Sequence, residues 1–281
     1  MIPFRLSPLG ISINEQIPLT LIAEQAGSTV TLNATGSPTV SGLHYRLGKS
    51  GLWLPYTIGD TITLANVGDS VQFWNSADSL STSGYDYVQF VMTGTISGKG
   101  NIQSLLDYSP SCLDYCFYHL FYGCTALTAA PSFPSMVIGY RCYSGAFRGT
   151  SIAEPPELPA LNISSECYRG MFRACKSLTH APDLPALALA NSCYYDMFVE
   201  CDHITSARIY AETLAASSCD SMFYGCSRLA SVEVSFTEWL DGATRIWLVG
   251  VPGTGTFTKP ISLPETRGTS NIPTGWTVVN K

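Results

Sequence analysis

The sequence predicts a β-rich α+β chain in which an antiparallel β-sandwich-like module leads into a solenoid. A block of about 26 residues recurs five times between positions 116 and 238. Repetition at this period is the mark of stacked units, each burying its apolar face only against its neighbours. Positions 18–98 instead carry short alternating apolar segments separated by Gly and Asp turns, the pattern of a small antiparallel β module. Charged residues make up only 13% of the chain, against the usual figure of about 25%, so Ser, Thr, Gly and Tyr take over the surface.

Residues 1–17 show no period and read as an arm or linker. The module over 18–98 is expected to use strands at 19–22, 29–32, 44–47, 62–64, 71–74 and 88–92. Turns are placed at Gly27, Gly36, Gly48, Gly59 and Gly68, where glycine tolerates the backbone angles a tight turn requires. Residues 99–115 are read as a cap on the open end of the solenoid, with Asn101 as N-cap of a short helix running to Asp107.

The five repeats follow. Their leading cysteines are read as Cys116, Cys142, Cys167, Cys193 and Cys219, at steps of 26, 25, 26 and 26 residues. Phe121, Phe147, Phe172, Phe198 and Phe223 recur with them and complete the expected repeat core. A second cysteine recurs at Cys124, Cys175, Cys201 and Cys226, with Thr150 in its place in the second copy. The Cys-Tyr-x-x-Met-Phe section is expected to be a short helix, and the Leu-Thr-x-Ala-Pro section or its equivalent a strand paired to its neighbours. Residues 239–281 depart from the period and read as a C-terminal cap ending in a strand at 275–279.

Ten cysteines raise the questions of disulfides and metal. Eight residues along a helical turn span about 12 Å, too far for a bridge within one copy. The spacing Cys-x7-Cys is not the Cys-x2-Cys of zinc sites, and His119, His180 and His203 share no repeat position. Buried free thiols fit best, with some disulfide pairing and metal as the alternatives; no cofactor is expected.

The combination Phe-x-x-Cys-x-x-Leu-Thr followed by Pro-x-Leu-Pro, clearest from Cys167 to Pro185, resembles the BspA-type leucine-rich repeats of bacterial surface adhesins and some phage fibre proteins. The likeness covers about 116–234, and the module around Tyr45, Trp53, Tyr56 and Val71 is similar to the β domain preceding such repeats. Two departures stand out: His203 to Arg208 replaces the Pro-x-Leu-Pro turn, and Thr150 replaces a cysteine. The resemblance implies adhesion or host-surface recognition without naming a ligand.

Several functions fit poorly. A formal charge of −6 with no Lys/Arg cluster argues against nucleic acid, and no apolar run is long enough to span a membrane. No Gly-x-Ser-x-Gly elbow, His-Glu-x-x-His or phosphate-binding loop appears, so no catalytic residue is expected. Glu154, Glu157 and Asp183 read as a solvated turn face. In a solenoid the period fixes the core, so positions that vary between copies are free to serve a ligand. Tyr118, Tyr122, Arg148, Arg173, Tyr195 and Tyr224 are therefore the candidate binding face. Tyrosine suits that role because it offers a large contact area at small entropic cost.

The expected function is non-enzymatic attachment to a host-surface glycan or protein through the solenoid. The chain opens at Met1 without the apolar core of a secretory signal, which favours a virion component such as a tail or head fibre. On that reading the N-terminal arm would meet other virion proteins, and a homo-oligomer such as a trimer is expected. The alternatives are a secreted or cell-surface bacterial adhesin and a purely structural decoration protein.

Overall fold

The computed structural model describes residues 17–281. The arm expected over 1–17 lies, but for Ile17, outside the described residues. The rest is β-rich with almost no helix, and it winds into a solenoid of about seven turns.

Eight strands form the front part: β1 (Leu19–Ala23), β2 (Ser28–Thr35), β3 (Leu43–Leu47), β4 (Leu54–Pro55), β5 (Thr61–Leu64), β6 (Ser70–Asn75), β7 (Tyr87–Thr93) and β8 (Ile96–Lys99). All six predicted strands are present, and the five turn glycines have positive φ. The short edge strand β4 and the strand β8 were not foreseen. In β8 the chain needs glycine at Gly98, because a Cβ there would lie 2.7 Å from the Ala129 carbonyl of the neighbouring strand. The strands make two antiparallel arrays, β5-β2-β7 and β8-β1-β6-β3-β4.

After β8, Asn101 caps a 3₁₀ helix over Ile102–Leu106, accepting the Gln103 N–H at 2.8 Å. The predicted cap residue and helix are thus present in a tighter winding. Residues 99–115 do not close the stack alone. The first-repeat strand β10 (Leu127–Ala129) pairs in parallel with β8, so the front part itself covers the open end.

The solenoid strands are β9 (Ser111–Cys112), β11 (Val137–Ile138), β12 (Asn162–Ile163), β13 (Ser206–Ile209), β14 (Ser231–Val234), β15 (Thr256–Lys259) and β16 (Thr277–Asn280). One face carries the short parallel array β9-β11-β12; another carries the parallel sheet β13-β14-β15-β16. The second and third repeats add no strand to that sheet, contrary to expectation. Their Pro155, Pro156, Pro159, Pro182 and Pro185 lack the N–H a ladder needs. Where His203 to Arg208 replaces the proline turn, β13 forms and the ladder starts.

The section expected to be helical is instead a ribbon of consecutive turns. Tyr118, Leu120, Tyr122 and Cys124 each donate an N–H to the carbonyl three residues back. The residues between them, Phe117, His119, Phe121 and Gly123, donate to the next repeat at Cys142, Ser144, Ala146 and Arg148. Apolar spacing suggested a helix because this ribbon also returns to the same face every fourth residue. Its positive φ values recur with that period, at Tyr115, His119 and Gly123, then at Arg141, Gly145 and Gly149.

The ribbon stacks its rings in columns. Phe121 and Phe147, Phe147 and Phe172, Phe172 and Phe198, and Phe198 and Phe223 lie 5.3–5.8 Å apart with planes within 12° of parallel. Phe117, Tyr143, Tyr168 and Tyr194 form a second buried column beside them.

Two corrections to the repeat register follow. Tyr143, Tyr168 and Tyr194 donate to the carbonyls of Cys167, Cys193 and Ser218, so Ser218 occupies the leading-cysteine position of the fifth copy. Cys219 stands in the tyrosine position, four residues before Phe223 rather than five. The tail also continues the winding: Phe223 donates to the Trp247 carbonyl as Phe198 does to that of Met222, so Trp247 stands in the methionine position and Leu248 comes next in the phenylalanine column. Trp239, Trp247 and Trp276 close that end, and their indole N–H groups bond to the carbonyls of Pro264, Asn271 and Pro252.

All ten cysteines are buried free thiols. Cys124, Cys175, Cys201 and Cys226 do more than fill space, since each thiol donates to the carbonyl of a column phenylalanine one level back: Phe90, Phe147, Phe172 and Phe198, at 2.8–3.0 Å. In the second copy Thr150 stands at this position, its hydroxyl 3.4 Å from the Cys175 thiol of the next level. Burial pushes the thiols of Cys124 and Cys226 up to about 12, so they stay protonated donors at neutral pH.

Candidate functional site

The outer surface of the turn ribbon carries the residues that do not repeat. Because the ribbon returns every four residues, each repeat shows a row of side chains around its phenylalanine. Tyr118, Ser144, Arg169 and Tyr195 stand three residues before it, His119, Gly145, Gly170 and Asp196 two before, and Tyr122, Arg148, Arg173 and Val199 one after.

These rows enclose a groove of about 340 Å³ across the first four repeats. That volume falls in the range of about 300–1,000 Å³ common for small-molecule sites. Gly145 and Gly170 line it, both at positive φ; the His119 ring fills the space over Gly145, whereas Gly170 leaves open floor. One end is Tyr118 and His119, whose rings stack at 3.9 Å; the other is Asp196. Arg141, Arg148, Arg169 and Arg173 line the sides, four of the chain's 15 basic residues.

The cations are only partly matched. Glu166 is shared by Arg141 at 2.8 Å and Arg169 at 2.7 Å, and Asp196 pairs with Arg173 at 2.6 Å. Burial opposes ionisation of Glu166, but hydrogen bonds from Arg169, Arg141 and Tyr140 outweigh it and hold the carboxyl below its ordinary range. Burial raises the Asp196 carboxyl, with Arg173 and Arg169 opposing. Arg148 has no carboxylate among the described residues; it lies over the Tyr122 ring, 5.4 Å from the centroid. Burial, with Arg148 nearby, lowers His119 to about 4, so its imidazole is neutral at physiological pH.

Of the six predicted face residues, Tyr118, Arg148 and Arg173 line the groove. Tyr122 supports Arg148, and Tyr195 holds Arg169 at 4.8 Å. Tyr224 is exposed but belongs to the fifth level, outside this lining. Sequence reasoning missed Arg141, Arg169, His119 and the two lining glycines. Aligning the copies on the phenylalanine and reading six, three and two residues back would have found them.

A second cavity, of about 410 Å³, lies among the prolines, with Glu157, His180 and Asp183 in its wall. It is shaped by chain corners, and no lysine or arginine lines it. Cys116 is buried in the core while His119 faces the groove, so the two do not form a reactive pair. Among the described residues no three His, Cys, Asp or Glu side chains converge as a metal site would require, and no helix is long and apolar enough to cross a membrane. Comparison with protein-family models, curated proteins and solved structures gives no match.

Proposed function

We propose that this chain is a non-enzymatic attachment protein of a virion, of the tail- or head-fibre kind, which holds a host-surface glycan in the groove of its turn ribbon. The observation that carries the reading is the contrast between the two sides of the ribbon. Its inner side repeats Phe, Tyr and Cys almost without change, whereas its outer side gathers four arginines and several tyrosines, no two levels alike. Packing explains the first set and leaves the second unexplained, and aromatic and arginine side chains are what recognition surfaces favour.

The front part is read as a sandwich-like module that presents the solenoid. Support comes from Phe73 of β6 and Phe90 of β7, which belong to different sheets and meet edge to face at 5.2 Å. The repeats remain BspA-like in residue pattern. A secreted or cell-surface adhesin would use the same groove, and detection of the protein in purified particles separates that case from a virion component. Saturable binding of the purified protein to host cells or to a glycan array tests the attachment reading itself. Absence of binding to both leaves a decoration protein instead.

A further inference from the structure

We propose that the groove takes an acidic sugar, its carboxylate or sulfate seated on Arg148 and its ring lying over Gly170. This rests on the attachment reading and narrows it to a ligand class.

Charge is the first argument. Four arginines face two carboxylates in the groove, an excess of two positive charges, on a chain whose formal charge is −6. Glu166 neutralises only one of the two arginines it touches, and Arg148 is matched by no carboxylate among the described residues. The neighbour of Arg148 that could compete for an anion is His119, and it is neutral. A guanidinium held over a tyrosine in the groove lining offers the planar fork that carboxylate and sulfate groups accept.

Shape is the second. The His119 ring fills the space over Gly145, but at Gly170 the floor is bare backbone: a Cβ there would have only the Arg173 Cβ near it, at 4.0 Å, so the space above it is open. The rings of Tyr118 and His119, stacked on each other, bound the groove at that end, and aromatic side chains are frequent partners of a pyranose. The acidic remainder of the chain repels long polyanions such as nucleic acid, which selects for a single charged group on an otherwise neutral glycan.

The test is calorimetric titration of the full chain with sialyllactose, sulfated lactose and lactose. The proposal expects binding of at least one acidic sugar, weakening as salt rises, with lactose weaker by about tenfold or more, the worth of one charge-assisted hydrogen bond. Which acidic sugar binds tells the carboxylate from the sulfate source. Arg148→Gln should remove the preference for the acidic sugar, whereas Arg148→Lys should keep part of it, and circular dichroism of both variants checks the fold. Equal binding of lactose and the acidic sugars overturns the acidic ligand while leaving attachment standing. So does binding to host cells with none to the three sugars. No binding to cells or sugars overturns both readings.

Discussion

Phe90 of β7 lies flat on Phe121 of the first repeat, ring centroids 5.3 Å apart and planes 11° from parallel. The Phe90 N–H donates to the Leu120 carbonyl, and Cys124 donates its thiol back to the Phe90 carbonyl. The phenylalanine column therefore begins inside the front part, which joins two regions that the sequence pattern separates.

The first prediction concerns that joint. Phe121→Ala should cost about 3–5 kcal/mol, the usual penalty for emptying a buried aromatic site. In the wild-type protein the column makes front and solenoid unfold together. Tryptophan fluorescence, from Trp53 and Trp74 in front and from the three tail tryptophans behind, should give one denaturation transition. In Phe121→Ala, hydrogen exchange should rise on both sides of residue 100.

Cys201 offers a cleaner test of the thiol role. Cys201→Ala removes the donor to the Phe172 carbonyl and should cost about 1–2 kcal/mol, part of it lost volume. Cys201→Thr, the exchange already present at Thr150, should recover some of that loss. Urea melts of the two variants check this. If alanine and threonine are equally costly, the thiol serves packing alone.

The neutral His119 imposes a pH dependence. Its folded value of about 4 lies below the ordinary 6.5, so the unfolded chain binds the extra proton more readily. This contribution is intact above about pH 6.5 and is lost as pH falls toward 4. Arg148, Tyr118, Tyr122 and Tyr87 surround the ring, and none is a carboxylate that would favour its charged form. NMR titration of the His119 ring should give a midpoint near 4, and His119→Gln should flatten the melting temperature between pH 4 and 6.5.

The two groove glycines differ in a measurable way. Both have positive φ, so alanine at either should cost roughly 1–2 kcal/mol in backbone strain. At Gly145 the new methyl would also lie 2.4 Å from the His119 ring, whereas at Gly170 it meets no such neighbour. Gly145→Ala should therefore be less stable than Gly170→Ala and should shift the His119 resonances. Equal stability would mean that His119 moves aside freely.

Much of the fold was legible because the fixed positions repeat. The phenylalanine column, the six front strands, Asn101 as a cap and the terminal strand could all be read from spacing and turn residues. The ribbon could not, since a period of four turns and a helix of 3.6 residues place the same apolar residues on one side. Only the tolerance of positive φ separates them, and Tyr115, Arg141 and Glu166 adopt it without being glycine. The tail level was set outside the period because Leu248 stands where a phenylalanine was expected. In the groove, Tyr118, Arg148 and Arg173 were found as variable positions. Arg169 was missed because only tyrosines were taken from the row it shares with Tyr118 and Tyr195, and Arg141 because it precedes the leading cysteine.

The most direct measurement is a crystal structure of the protein with the tightest-binding oligosaccharide. The account predicts a sugar ring over Gly170, with its acidic group at the Arg148 guanidinium. A ligand seated instead among Pro155, Pro182 and His180, or on the front sheets, would contradict it.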